Sequence, residues 1–313
     1  MNNKVELREN MINITFWGVR GSIPAPGGHT VIYGGNTSCV SIEVDENIII
    51  LDAGSGIRML GNHLIKQNRI SGNKIYLFIS HTHWDHIQGL PFFASAFIKG
   101  NLIKIFGPKL FGTAFEKVIS NQMEHSYFPI RLKHLSADIS FNELLIGKYE
   151  NLIENISVET MLNNHPVIDM SYKFFINGKK IIYVTDFECY NNQFYAARKK
   201  SSKRTQDIIG RKFYKDLRDD FISFINRSDL LIIDAAYLKK EYPQKLGWGH
   251  STFEDIYEIA VKARVKNLVF FHHDPNRRDD ELSEIEKFYT DLNAQQKKFN
   301  SIRVAREGLN ITF

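Results

Sequence analysis

The sequence predicts an α/β fold in which two β-rich stretches alternate with helices. Three observations carry this: short apolar runs bounded by Gly, Pro and Asp in the first fifty residues, the return of the same pattern after residue 170, and helical stretches between and after those runs. Two sheets covered by helices on both outer faces is the layered solution that buries such elements.

The elements follow in order. Asn13–Gly18 (NITFWG), Ser38–Val44 (SCVSIEV) and Asn47–Asp52 (NIIILD) read as strands, with a Gly- and Pro-rich loop across Gly21–Gly35. A helix is expected over about Ile57–Gln67, a strand over Lys74–Ser80 (KIYLFIS) and a second helical stretch after His86. Ser171–Ile176 and Lys180–Thr185 pair as strands, Asp229–Asp234 and Asn267–His272 are runs of the buried-strand type, and helices are expected over about Thr252–Ala263 and Glu281–Lys298. The chain shows no short-period repeat.

Composition narrows the class. A 313-residue chain, 43% hydrophobic and 24% charged, can bury a sizeable core and is too apolar for wholesale disorder. We read residues 12–313 as one domain. No run approaches the ~18 apolar residues of a spanning helix, and Met1–Met11 lacks the apolar core of a secretory signal, so a cytoplasmic location is expected. Cys39 and Cys189 stand alone, without a CxxC pair, which argues against a thiolate metal site or a disulfide framework. The formal charge of +5 is compatible with an anionic substrate but decides nothing by itself. Much of the excess falls in Ala197–Arg218, which reads as a basic insertion over about residues 197–221: a solvated face first, a nucleic-acid contact second.

The segment Ser80–Gly89, SHTHWDHIQG, follows a strand and holds HxHxDH. Imidazole nitrogen and carboxylate oxygen are the usual non-thiolate ligands of zinc and also suit manganese and iron. Alternation at a strand exit lets His81 and His83 converge on one metal, while Asp85 and His86, opening the next helix, face a second.

With those residues the sequence resembles the metallo-β-lactamase superfamily. Residue by residue, His81, His83, Asp85 and His86 match its first motif, His165 in NNHP the next histidine, Asp186 in YVTDFE the bridging aspartate, and His272 in LVFFHHDP the last histidine. The loops Phe16–Pro24 (FWGVRGSIP), Gly34–Ser38, Leu51–Arg58 (LDAGSGIR), His86–Phe93, Gly247–Thr252 (GWGHST) and Phe270–Pro275 resemble its bacterial phosphodiesterase branch. That branch includes phosphoribosyl cyclic and cyclic-nucleotide phosphodiesterases and is similar to the transfer-RNA 3′-processing endonucleases.

The resemblance implies a four-layer αββα sandwich of two mixed β-sheets flanked by helices. It also implies two divalent metal ions, zinc first with manganese or iron as alternatives. His81, His83 and His165 would hold one, Asp85, His86 and His272 the other, and Asp186 would bridge them. His272 is preferred to its neighbour His273. His250 and Asp85 are the catalytic candidates, His250 as proton donor to the leaving oxygen and a metal-bridging hydroxide as nucleophile. Asp52 is expected to orient a motif histidine from behind. Ser251 and Glu254 read as a capping box that opens the following helix and sets His250 just before its N-terminus, where a phosphate would be attracted.

The implied function is hydrolysis of a phosphodiester, first in a small anionic cyclic molecule such as a cyclic nucleotide or phosphoribosyl cyclic phosphate. An endoribonuclease resembling the transfer-RNA processing enzymes comes second, and a non-catalytic binding protein on the same scaffold third. Thioester or lactone hydrolysis belongs to the same superfamily, because fold and metals do not fix a substrate. No membrane partner is implied, and a homodimer is among the arrangements the resemblance admits.

Overall fold

The computed structural model describes residues 11–189 and 217–313. Nearly all of the basic Ala197–Arg218 segment lies outside them; residues 217–225 are helical. The described residues divide into two compact units: 11–145, 274–282 and 305–313 belong to the first, and 146–189, 217–273 and 283–304 to the second.

The first unit is built on a seven-stranded mixed sheet. Its strands are β1 (Asn13–Gly18), β2 (Cys39–Val44), β3 (Asn47–Leu51), β4 (Lys74–Phe78), β5 (Leu102–Pro108), β6 (Asp138–Leu144) and β14 (Asn310–Thr312), in the order β14-β1-β2-β3-β4-β5-β6. Ladders from β14 to β3 are antiparallel and those from β3 to β6 parallel. β3 is buried along its whole length, which explains its unbroken NIIIL, since a central strand covered on both faces has no polar side. The helix Ile57–Lys66 buries Ile57, Leu60, Gly61 and Leu64, a helical stripe, into the cluster that holds Ile48, Ile50, Leu77 and Ile105.

The second unit carries a sheet of the same size: β7 (Gly147–Ile153), β8 (Ile156–Leu162), β9 (Met170–Ile176), β10 (Lys179–Val184), β11 (Leu230–Asp234), β12 (Asn267–Phe271) and β13 (Ser301–Val304). Here the order follows the sequence. Ladders from β7 to β10 are antiparallel and those from β10 to β13 parallel, so the unit repeats the plan of the first. The helix Phe253–Lys262 buries Phe253, Ile256, Ile259 and Ala260, and the Phe253 and Phe270 rings meet edge to face at 5.1 Å. The last helix runs over Asp279–Gln296.

Two readings from sequence are corrected. The stretch after His86 is only the four-residue helix Trp84–Ile87, followed by a 3-10 turn at Leu90–Phe92 in which Pro91 removes a backbone donor. The cap of helix Phe253–Lys262 is Thr252, not Ser251: Thr252 Oγ1 accepts from Asp255 N–H at 3.1 Å and donates to the Asp255 carboxylate. Ser251 instead accepts from Cys189 N–H and donates to the Phe187 carbonyl, and Glu254 accepts from Lys239 N–H. A hydroxyl one residue nearer the helix sits at the distance the cap geometry needs, which releases Ser251 to fasten a neighbouring strand exit.

Both cysteines are buried and free, and burial raises the pKa of each thiol. Among the described residues no helix is long and apolar enough to cross a membrane.

Candidate functional site

The strands β3 and β4 of the first unit and β10 and β12 of the second lead into residues singled out from the sequence. In the first unit β3 exits into Asp52, whose backbone N–H donates to the Phe78 carbonyl and whose φ is 60°. Left-handed backbone is uncommon for a side-chain-bearing residue, and Asp is among those that tolerate it. That twist aims the carboxylate at the end of β4, where it accepts from Ser80 N–H (2.7 Å), Ser80 Oγ–H (2.9 Å) and His86 Nδ1–H (2.8 Å). The expected supporting aspartate is therefore in place, and the histidine it orients is His86. A carboxylate only accepts, so the proton lies on Nδ1 and the His86 Nε2 lone pair is presented to an electrophile.

His81, His83 and His86 converge, with ring centroids 4.5 Å apart for His81 and His83 and 4.2 Å for His81 and His86. His81 and His86 are buried and His83, the residue preceding the short helix, is exposed. Asp85 lies 3.1 Å from His86 Nε2 and accepts from Ser22 N–H at 2.7 Å, so the Gly-rich loop after β1 reaches the motif. The short helix is pressed on the loop Ala53–Gly56: a Cβ on Gly89 would come within 2.0 Å of the Gly54 carbonyl oxygen, so only glycine fits. Asn36 and Thr37 hold this loop through Ser55 and Gln88.

Buried Arg20 fixes the Gly-rich loop. Its guanidinium donates to the carbonyls of Gly34, Asp274 and Arg277 and lies 3.7 Å from Asp279. Asp279 in turn accepts from Ile32 and Tyr33 N–H.

The second unit brings His165, Asp186, His250 and His272 together. Asp186 and His272 follow β10 and β12 with φ of 48° and 60°, the same left-handed exit as Asp52. His272 Nε2 is 2.9 Å from Asp186 Oδ1 and His165 Nε2 is 3.7 Å from Asp186 Oδ2. The His250 and His272 rings stack at 5.0 Å, and those of His165 and His250 are 5.9 Å apart.

Two residues escaped the sequence reading. Asp234 ends β11, and its Oδ2 accepts from His250 Nδ1–H at 2.7 Å and from Phe187 N–H at 3.1 Å. Burial would lower the pKa of His250, but the charge and hydrogen bond of Asp234 outweigh it and the imidazole is held above its usual value. Burial raises that of Asp234 against the pull of His250. The signal was an aspartate closing an apolar run, LLIID, the position Asp52 holds after NIIIL. Glu188 is the other: buried, it accepts from Gly247 N–H (2.8 Å), Gly249 N–H (3.1 Å) and Tyr242 Oη–H, and so shapes the loop that carries His250.

The donor chemistry fits divalent metal. Two ligand atoms on one tetrahedral ion with bonds of about 2.1 Å stand about 3.4 Å apart, and the pairs Asp85–His86, Asp186–His272 and Asp186–His165 lie at 3.1, 2.9 and 3.7 Å. In the second unit Asp186, Asp234, His250 and His272 each offer a donor atom within 4.8 Å of the others. His250 turns Nδ1 to Asp234, which leaves Nε2 for a substrate or a metal.

Comparison with known proteins agrees with this assembly. A ribonuclease Z of Picrophilus torridus is 29% identical over 95% of this chain and 94% of its own. The metallo-β-lactamase fold protein YhfI of Bacillus subtilis superposes with a TM-score of 0.61 at 14% identity, covering 97% of this chain and all of that one. The short form of human tRNase Z gives 0.61 at 19%, covering 96% and 98%. The two mixed sheets are thus those of the metallo-β-lactamase fold. The family model described as "Anti-Pycsar protein Apyc1" matches residues 28–209, more than half of the sequence and the stretch that holds HxHxDH, His165 and Asp186, and the chain belongs to that family.

Proposed function

We propose that the chain is a metal-dependent phosphodiesterase with His81, His83, Asp85, His86, His165, Asp186 and His272 as metal ligands and His250 as proton donor to the leaving oxygen. The observation that carries this is the geometry of the buried His250–Asp234 pair stacked against His272: Asp234 accepts from Nδ1–H and raises the pKa of an imidazole whose Nε2 is turned away from it, beside ligand-type side chains, the arrangement of a general acid. Divalent metals bound there would lower the pKa of a water and neutralise the oxygens of a phosphodiester. Zinc suits the donor set first, manganese and iron next.

Two substrate classes accord with that chemistry. The ribonuclease Z relatives speak for an RNA phosphodiester, and they remove the grounds for ranking RNA behind a small cyclic diester. The cyclic reading rests on the resemblance of motif loops such as FWGVRGSIP to the bacterial phosphodiesterase branch, and the relatives back the RNA reading better. A cytoplasmic location, expected from the sequence, goes with either.

The test is turnover of the metal-loaded protein on 2′,3′- and 3′,5′-cyclic nucleotides, a phosphoribosyl cyclic phosphate and a precursor transfer RNA, each over a range of salt. RNA affinity should fall steeply with ionic strength through counterion release, and that for a small diester far less. Absence of turnover on every diester with full metal content would overturn the reading.

A further inference from the structure

The loop that delivers His250 also presents a tryptophan. Gly247 and Gly249 flank Trp248, and both are fixed by their N–H groups to the Glu188 carboxylate. Their φ values of 86° and 89° suit glycine alone. A Cβ on Gly249 would lie 2.2 Å from His165 Nδ1, so the peptide between Trp248 and His250 rests against the histidine cluster. On this fastened loop the Trp248 side chain is 57% exposed, although Lys245 Nζ stands 4.1 Å from its ring centroid. One face of the indole carries an ammonium group, and most of the rest meets solvent.

Single exposed aromatics are common on protein surfaces and need no explanation. Trp248 differs in three respects: its backbone is immobilised on both sides, its ring is paired with a cation, and it lies two residues from the proton donor. A fixed, open aromatic face is what a flat base recognises, because every base offers a π-face, and a cation on the opposite face holds the indole in place.

We propose that Trp248 is a specificity-determining residue that stacks on a nucleobase of the substrate, with Lys245 holding the indole from its other face. The proposal rests on the phosphodiesterase reading and narrows it. The substrate is a nucleotide diester, cyclic or within a strand, and a base-free sugar phosphate is a poor one.

The test compares Trp248→Ala and Trp248→Phe with the unaltered protein, all metal-loaded, on a 3′,5′-cyclic nucleotide and on a base-free ribose cyclic phosphate. Trp248→Ala should raise KM for the nucleotide by about fivefold to a hundredfold, the range of one base–aromatic stack. It should leave kcat on the nucleotide and both constants on the base-free substrate nearly unchanged, and Trp248→Phe should restore most of the loss. Equal losses on both substrates, or none on either, overturn the proposal. A second measurement does not depend on turnover: calorimetric binding of a nucleoside monophosphate and of ribose 5-phosphate. Preference for the nucleotide that Trp248→Ala abolishes supports the stack even if the unaltered protein turns over no diester of the full panel, the result that removes the phosphodiesterase reading. A preference unchanged in Trp248→Ala overturns it.

Discussion

His86 Nδ1 and Asp52 Oδ2 stand 2.8 Å apart, and neither side chain is exposed to solvent. The pair holds the proton on Nδ1 and turns Nε2 toward Asp85, so under the proposed ligand set Asp52 would act on metal binding from behind His86. Asp52→Ala should weaken metal affinity by about 10- to 100-fold, as losses of such supporting carboxylates do. Chelator competition on protein whose melting is cooperative is the measurement. An unchanged affinity would remove Asp52 from the site.

His250→Ala should keep its metal content and lose about 10² to 10⁴ in kcat, the usual contribution of general acid catalysis. The deficit should shrink on a nitrophenyl phosphodiester, whose leaving oxygen departs without a proton. Asp234→Asn retains the imidazole but removes the charge that raises its pKa, and its loss should be smaller and of the same substrate dependence. Equal losses on both leaving groups would make His250 a phosphate-positioning residue.

Chelation should abolish turnover, and zinc or manganese should restore it. Metal that binds the native state alone also stabilises it, by about 2.7 kcal/mol at a hundred times Kd, so the melting midpoint should rise with metal concentration. Full metal occupancy after combined loss of His81, His83 and His165 would sink the ligand assignment.

Arg20→Ala leaves three carbonyls and the Asp279 carboxylate without their shared donor in a buried place. Breaking such an arrangement costs about 3–5 kcal/mol. Arg20→Lys keeps the charge but not the planar fork and should recover little of it. Both are read as denaturation midpoints, and a midpoint equal to that of the unaltered protein contradicts the account.

Much of this was legible in the sequence because the strands at the centre of each sheet are rich in β-branched, aliphatic and aromatic residues. NIIIL, KIYLF, KKIIYV, LLIID and NLVFF fall within a residue or two of their expected positions. The edges were not legible. β6 and β7 alternate exposed and half-buried residues and carry Asp, Asn, Glu and Lys, so their apolar content is too thin to register. The histidines were visible because their spacing is local, whereas the bond from Asp234 to His250 spans sixteen positions and depends on the chain turning through a helix cap one residue later than Ser251 suggested.

The outermost pairing of the first sheet, β14 on β1, joins Ile14 to Ile311 and Asn13 to Thr312. Translation therefore releases one half of this ladder nearly three hundred residues before the other. Domains generally fold as units while the chain emerges, yet this unit cannot close in order of synthesis. Until residues 305–313 arrive, β1 has an open flank able to pair with another nascent chain. The second unit, whose strands follow one another in sequence, can assemble ahead of the first although it is made later.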